Sequence, residues 1–144
     1  MRKVRPLVQL QRCERGIAAL EFALLAPALL MLAFAIIVYS LYFSAYMGVR
    51  QAASEGARAA MAGLSSVERE ALALERADEV IARYGDLLGG EEGPVVTAGP
   101  VATGVFEVRV TYDMSGHPIM QFGGFIPLPD TNIDSSVVIT NGTY

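Results

Sequence analysis

Residues 17–49 form an apolar run of 33 positions in which Glu21 is the single charged side chain. A helix that crosses a bilayer core ~30 Å thick needs about 20 apolar residues, so the run predicts a transmembrane helix. Its apolar positions lie on every side, as in a helix surrounded by lipid. After Arg50 the pattern turns amphipathic. Ala52, Ala53, Ala57, Ala60 and Met61 alternate at helical spacing with Gln51, Glu55 and Arg58. The helix is therefore expected to continue to about residue 62, with its second half projecting beyond the bilayer. Pro27 falls inside it; proline removes one backbone hydrogen bond, which membrane helices tolerate.

Gly63 reads as the end of this rod. Ser65-Ser66-Val67-Glu68 matches a capping box, with Ser65 as N-cap and Glu68 three residues on. A second, amphipathic helix follows to about Leu88, its expected apolar stripe being Val67, Leu74, Ala77, Ile81, Tyr84 and Leu88. Gly85-Asp86 and the Gly/Glu/Pro cluster at 89–94 then interrupt the chain. Phe106, Val108, Val110 and Tyr112 alternate with Glu107, Arg109, Thr111 and Asp113, a period-two strand with one buried face. Val95 to Thr97 is a candidate short partner strand, and Ile133 to Thr140 another. The segment between the last two, HPIMQFGGFIPLPDTN, reads as an apolar loop. The fold class is thus α+β: a long N-terminal transmembrane helix, a second amphipathic helix and a small antiparallel β-sheet. The part beyond the membrane has a thin core for its size, and the projecting half of the long helix is the expected brace.

Charge adds an orientation. Residues 1–16 hold Arg2, Lys3, Arg5, Arg12 and Arg15 against Glu14, whereas residues 17–144 hold six arginines against fourteen acids. Positive flanks stay in the cytoplasm. The organisation expected is a cytoplasmic basic leader (1–16), a transmembrane and projecting helix (17–62), and a small periplasmic α+β domain (65–144). An acidic exported domain argues against nucleic acid, whose phosphates need a basic face. The one cysteine, Cys13, permits no internal disulfide.

Glu21 needs a reason, because a carboxylate in apolar surroundings is costly unless paired. A cleaved secretory signal would explain the basic start and apolar centre, with Ala33-Phe34-Ala35 as the cut, but the apolar run extends well past that point. A plain single-span anchor would place Glu21 near the headgroups at little cost. A third reading uses Gly16. A glycine followed by Ile17 and, four residues later, Glu21, directly after a basic leader, resembles a type IV prepilin cleavage site. That resemblance implies a cut after Gly16 and a free amine on Ile17. The amine and the Glu21 carboxylate of neighbouring subunits would then neutralise each other in an apolar assembly.

The likeness extends further. Arg15-Gly16, Glu21-Phe22-Ala23, Pro27, the apolar span, and then Ala52 or Ala53 with Glu55-Gly56-Ala57-Arg58 resemble the TadE-like family of pseudopilins. These are pilin-like proteins of tight-adherence (Tad, or Flp) pilus systems. The resemblance covers residues 15–62. Phe22 stands where the major pilin of these systems has tyrosine, and a sizeable domain follows the helix. Both features imply a minor, pilin-like component.

The resemblance implies Gly16 and Ile17 as the processing site and Glu21, Phe22 and Pro27 as the subunit-docking set. Ala53, Glu55, Gly56, Ala57 and Arg58 form a helix-packing motif. The implied partners are the inner membrane, a prepilin peptidase, other pilins or pseudopilins, and the Tad assembly platform. From the residues alone, Glu55 and Arg58 are spaced to pair on one helical face. Gly56 makes most sense where another backbone approaches closely, since glycine costs up to about 1 kcal/mol relative to alanine inside a helix. Small residues four apart, Ala19 with Ala23 and Ser40 with Ser44 and Gly48, allow close packing in lipid.

No nucleophile–base pair, P-loop or dinucleotide motif is present, and His117 is the only histidine. It is expected to be solvated or hydrogen-bonded. Glu91-Glu92 reads as a solvated pair, and the Asn141-Gly142-Thr143 sequon carries little weight. No enzymatic activity, catalytic residue, metal, cofactor or small-molecule substrate is expected. The alternative from a different class is an uncleaved single-span membrane protein whose periplasmic domain binds or scaffolds a partner in the cell envelope.

Overall fold

The computed structural model describes residues 14–88, 93–124 and 126–140. The basic leader up to Cys13, the Glu91-Glu92 pair and the Asn141 sequon lie outside the described residues. In chain order the elements are α1 (Glu14–Ala60), α2 (Ser66–Arg83), β1 (Val95–Ala102), β2 (Val105–Asp113) and β3 (Asn132–Thr140). Short 3₁₀ turns stand at Gly85–Leu87 and Pro118–Gly124. This is the α+β arrangement that the hydrophobic pattern predicts. The chain divides into two compact units, Met1–Ile37 and Val38–Tyr144.

In the first unit, α1 carries Ile17, Leu20, Phe22, Leu24, Leu25, Leu29, Leu30 and Phe34 exposed around its circumference. Alanine and leucine dominate the segment, and both are strong helix formers. The helix runs through Pro27 without interruption. Among the described residues α1 is the one helix long and apolar enough to cross a membrane. From Ile17 to Ile37 there are 21 residues, about 31 Å of helix, which is the thickness of a bilayer core.

In the second unit, residues 38–60 of α1, together with α2, cover one face of the sheet. Ala45, Val49, Ala52 and Ala53 of α1 share a core with Ala77 and Val80 of α2 and with Val110, Tyr112 and Ile133 of the sheet. Ala57, Ala60, Ala73, Phe106 and Val108 form a second cluster. Fully burying a side chain such as Val108 or Ile133 contributes about 1.5–3 kcal/mol. The last 12 of the 33 positions in the apolar run read from the sequence as membrane helix thus have an internal use. From Val38 onward its inward side chains build the core of the folded unit.

The α1–α2 connection is tight. A Cβ on Gly63 would lie 2.8 Å from the Arg69 amide nitrogen, and the Arg69 Nε donates to the Gly63 carbonyl at 2.9 Å. Ser65 caps α2 as expected, its hydroxyl accepting the Glu68 N–H at 3.2 Å. Glu68 reaches back one residue further than a capping box requires and accepts the Leu64 N–H at 2.9 Å. The buried residues of α2 are Ala73, Ala77 and Val80. Val67, expected to start the stripe, is 75% exposed, because the buried face of α2 begins only at Ala73.

The sheet has the order β1-β2-β3, antiparallel throughout. Phe106, Val108, Val110 and Tyr112 of the central strand are all buried, as their alternation predicts. Val108 stands opposite Ala98 on β1 and Val137 on β3. β1 is longer than the Val95 to Thr97 segment expected. Pro100 does not end it, because β1 is an edge strand and a proline there leaves no ladder bond unmade. The register shifts between Pro100 and Ala102, and Gly104, at φ +74°, makes the hairpin turn in a region glycine adopts without strain.

Candidate functional site

The residues that the sequence singles out fall into two sets, one in each compact unit. The first is Gly16, Ile17, Glu21, Phe22 and Pro27, all on α1 and all exposed. Ile17 and Glu21 are four residues apart, so they project from one helical face. Among the described residues none forms an ion pair or hydrogen bond with the Glu21 carboxylate. What this set presents is an apolar helix surface bearing one carboxylate.

The second set lies inside the folded unit. Ala53, Gly56 and Ala57 are buried, Glu55 is partly buried and Arg58 is exposed. Gly56 faces α2. A Cβ added there would lie 2.9 Å from the Ala73 carbonyl oxygen, 3.3 Å from Val108 Cγ1 and 3.4 Å from Ala77 Cβ. The glycine therefore sits where two helices and the central strand meet. Glu55 has a partner on the other helix: Arg76 of α2 reaches it at 3.3 Å and also binds Glu79 at 2.7 Å. These two carboxylates raise the Arg76 pKa, the Glu79 hydrogen bond first and the Glu55 bond second.

Two further α1 residues extend the same seam, and sequence reasoning gave them other roles or none. Gly48, grouped with Ser40 and Ser44 as a membrane-packing face, lies against the folded unit's own side chains. A Cβ there would be 2.9 Å from Leu88 Cδ1 and 3.1 Å from the Tyr84 ring. Ser44 turns its hydroxyl to the Ser40 carbonyl at 2.9 Å. Gln51 accepts a hydrogen bond from the Tyr84 hydroxyl at 2.8 Å. The pairs Gly56–Ala73, Glu55–Arg76, Gln51–Tyr84 and Gly48–Leu88 recede in step, so the two helices are antiparallel. The signal for this was present: Gly48, Ala52, Gly56 and Ala60 are small residues spaced by four. Nothing local could have identified Arg76 as the partner of Glu55.

On the outer face of the sheet, Arg109 binds Glu107 at 3.0 Å and Asp134 at 3.3 Å. Hydrogen bonds from Arg109 and then Ser136 hold the Glu107 carboxyl below its usual range. His117 is half-buried, and its Nδ1 accepts the Ile119 N–H at 3.3 Å. Among the described residues no group of three His, Cys, Asp or Glu side chains comes together to hold a metal ion.

Comparison with known proteins finds one likeness. Residues 16–58 match the family model described as TadE-like protein, the family that the N-terminal motifs resemble. The match spans the exposed apolar helix and the α1 half of the α1–α2 seam, ending at Arg58. No curated protein and no solved structure gives a significant match.

Proposed function

We propose that the chain is a minor, pseudopilin-like membrane protein in the assembly of a Tad (Flp-type) pilus. In this reading a prepilin peptidase cuts after Gly16, and the helix from Ile17 holds the protein in the bacterial inner membrane. The N-terminus faces the cytoplasm, and the unit from Val38 onward is periplasmic. The observation that carries the reading is the match over residues 16–58 on a helix whose first 21 apolar positions bear one carboxylate. Cleavage would give Glu21 the counter-charge that no described residue supplies. The new Ile17 amine of an adjoining subunit could lie against it, and a charge in a low-dielectric assembly is tolerated once paired.

The division of labour along α1 supports this. Within the EGAR segment, Glu55, Gly56 and Ala57 are engaged with α2 and β2 of their own chain. That leaves residues 17–37 as the surface for other pilins, pseudopilins or the assembly platform. The protein then acts by docking and carries no chemistry of its own. Replacing Glu21 by alanine in a strain that makes Tad pili tests the reading. Membrane insertion should be normal and piliation should fail. Unchanged piliation would remove the docking role from Glu21.

The internal use of Gly56 and Glu55 favours a second reading, since it explains that motif by folding alone. In it the chain is an uncleaved single-span protein whose outer domain scaffolds an envelope partner. The two readings differ at the mature N-terminus, Ile17 in the first and Met1 in the second.

A further inference from the structure

Between Asp113 and Asp130 the chain has no Asp, Glu, Lys or Arg, and residues 38–49 of α1 have none either. The structure brings these two uncharged segments together. The Tyr39 hydroxyl donates to the Pro127 carbonyl, and Ile119 and Met120 pack into the same core as Ala45, Tyr42 and Tyr46. The loop is built rather than loose. Ile119 and Ile126 are buried. The Ile126 N–H bonds to the Phe122 carbonyl at 3.2 Å, and a Cβ on Gly123 would lie 3.2 Å from Leu128 Cδ1. With its two isoleucines turned inward, the loop presents Phe122 outward, 42% exposed. On α1, Tyr39, Phe43 and Met47 share a face, and Phe43 is 61% exposed.

The position of this surface follows from chain connectivity. Tyr39 is two peptide units beyond Ile37, the last residue of a bilayer-length apolar segment, so their Cα atoms are no more than about 7.6 Å apart. The loop is tied to Tyr39 by a hydrogen bond. It cannot lie far from where α1 leaves the hydrocarbon. Tyrosines are enriched at that level, where the ring meets acyl chains and the hydroxyl meets headgroups. Apolar elements lying there enter the boundary by ~5–10 Å.

We infer that the Pro118–Gly124 turn, with Phe122 at its tip, and the Tyr39–Phe43 face of α1 form a second membrane contact that rests in the headgroup region of the outer leaflet. The occupant is the lipid surface itself. This rests on the membrane-spanning reading of residues 17–37.

The protein has no tryptophan, so single reporters can be placed without background. Three full-length variants, Phe122→Trp, Phe34→Trp and Leu64→Trp, are reconstituted in phosphatidylcholine vesicles with or without bromine on the upper acyl carbons. Leu64 is 94% exposed and follows the end of α1, far along the chain from the span. Phe122→Trp should lose most of its emission to brominated lipid and shift to shorter wavelength, while Leu64→Trp is unaffected. Gln121→Trp, at the adjoining exposed position, should behave like Phe122→Trp. Adding Tyr39→Phe should weaken the quenching. If both loop reporters escape quenching while Phe34→Trp is quenched, the second contact does not exist. If Phe34→Trp also escapes, the spanning segment itself is misread and the inference falls with it.

Discussion

The carbonyl oxygen of Ala73 lies 2.9 Å from where a Cβ on Gly56 would stand. Real Cβ atoms do not approach backbone oxygen so closely, so any side chain at residue 56 must push α2 away from α1. The effect reaches the sheet, because Val108 Cγ1 is on the same side at 3.3 Å. Gly56→Ala should therefore destabilise the folded unit by about 1–3 kcal/mol through overpacking, even though alanine gains up to about 1 kcal/mol in helix propensity. Gly48→Ala should cost less, since what it meets is the end of Leu88 and the edge of Tyr84. Gly99→Ala, which meets nothing within 4 Å, should be close to neutral. Denaturant unfolding of the full chain in detergent micelles ranks the three. A Gly56→Ala variant as stable as the parent would mean the helices can separate freely.

Tyr84 ties the far end of the seam. Its ring flanks Gly48 and its hydroxyl binds Gln51 at 2.8 Å. Tyr84→Phe keeps the ring and removes the bond, and should cost about 0.5–1.5 kcal/mol. Gln51→Ala should cost a similar amount, and the double variant should cost no more than either single one. Additive losses would show that the two side chains act separately.

These seam contacts mark what the sequence could and could not disclose. The period-two pattern of Phe106 to Tyr112 was enough to find the central strand and its buried face. The capping residues Ser65 and Glu68 located the start of α2. The apolar run at 17–49 was legible as helix, but its single composition hid two uses. Residues 17–37 are exposed all round, whereas Val38, Ala45 and Val49 are core. Hydrophobicity alone cannot separate a side chain facing lipid from one facing its own sheet. The close approach at Gly56 was legible from the cost of a glycine inside a helix and the small residues around it. Arg76, Tyr84 and Pro127 were not, because each lies far along the chain from the α1 residue it meets and the pairing depends on the closed fold.

The outer face of the sheet should make stability sensitive to acid. Hydrogen bonds from Arg109 and Ser136 lower the Glu107 pKa from its ordinary 4.5. A lowered folded-state pKa means that the contribution of Glu107 is complete above 4.5 and fades as pH falls through the folded value. Arg109 stays charged throughout, since Glu107 and Asp134 raise its pKa. The unfolding midpoint should fall on acidification below about pH 4.5, and the fall should be shallower in Glu107→Gln. Parallel curves for the two proteins would remove Glu107 from the acid response.

The pseudopilin reading requires that the Ile17 amine exist, and Gly16 controls whether it does. Gly16→Leu should leave the leader attached, because the resemblance places the cut directly after this glycine. The variant should still insert through the same apolar helix, yet fail in assembly as Glu21→Ala does. Equal piliation in Gly16→Leu and the parent would show that the leader is irrelevant.

The most direct measurement is the intact mass of the protein extracted from the membrane of cells that carry the pilus system and its prepilin peptidase. A chain that begins at Ile17 is the expected result, with the Gly16→Leu variant retaining residues 1–16. A parent chain that keeps Met1, or one that begins at Ile36, would contradict the central claim that cleavage after Gly16 supplies the partner for Glu21.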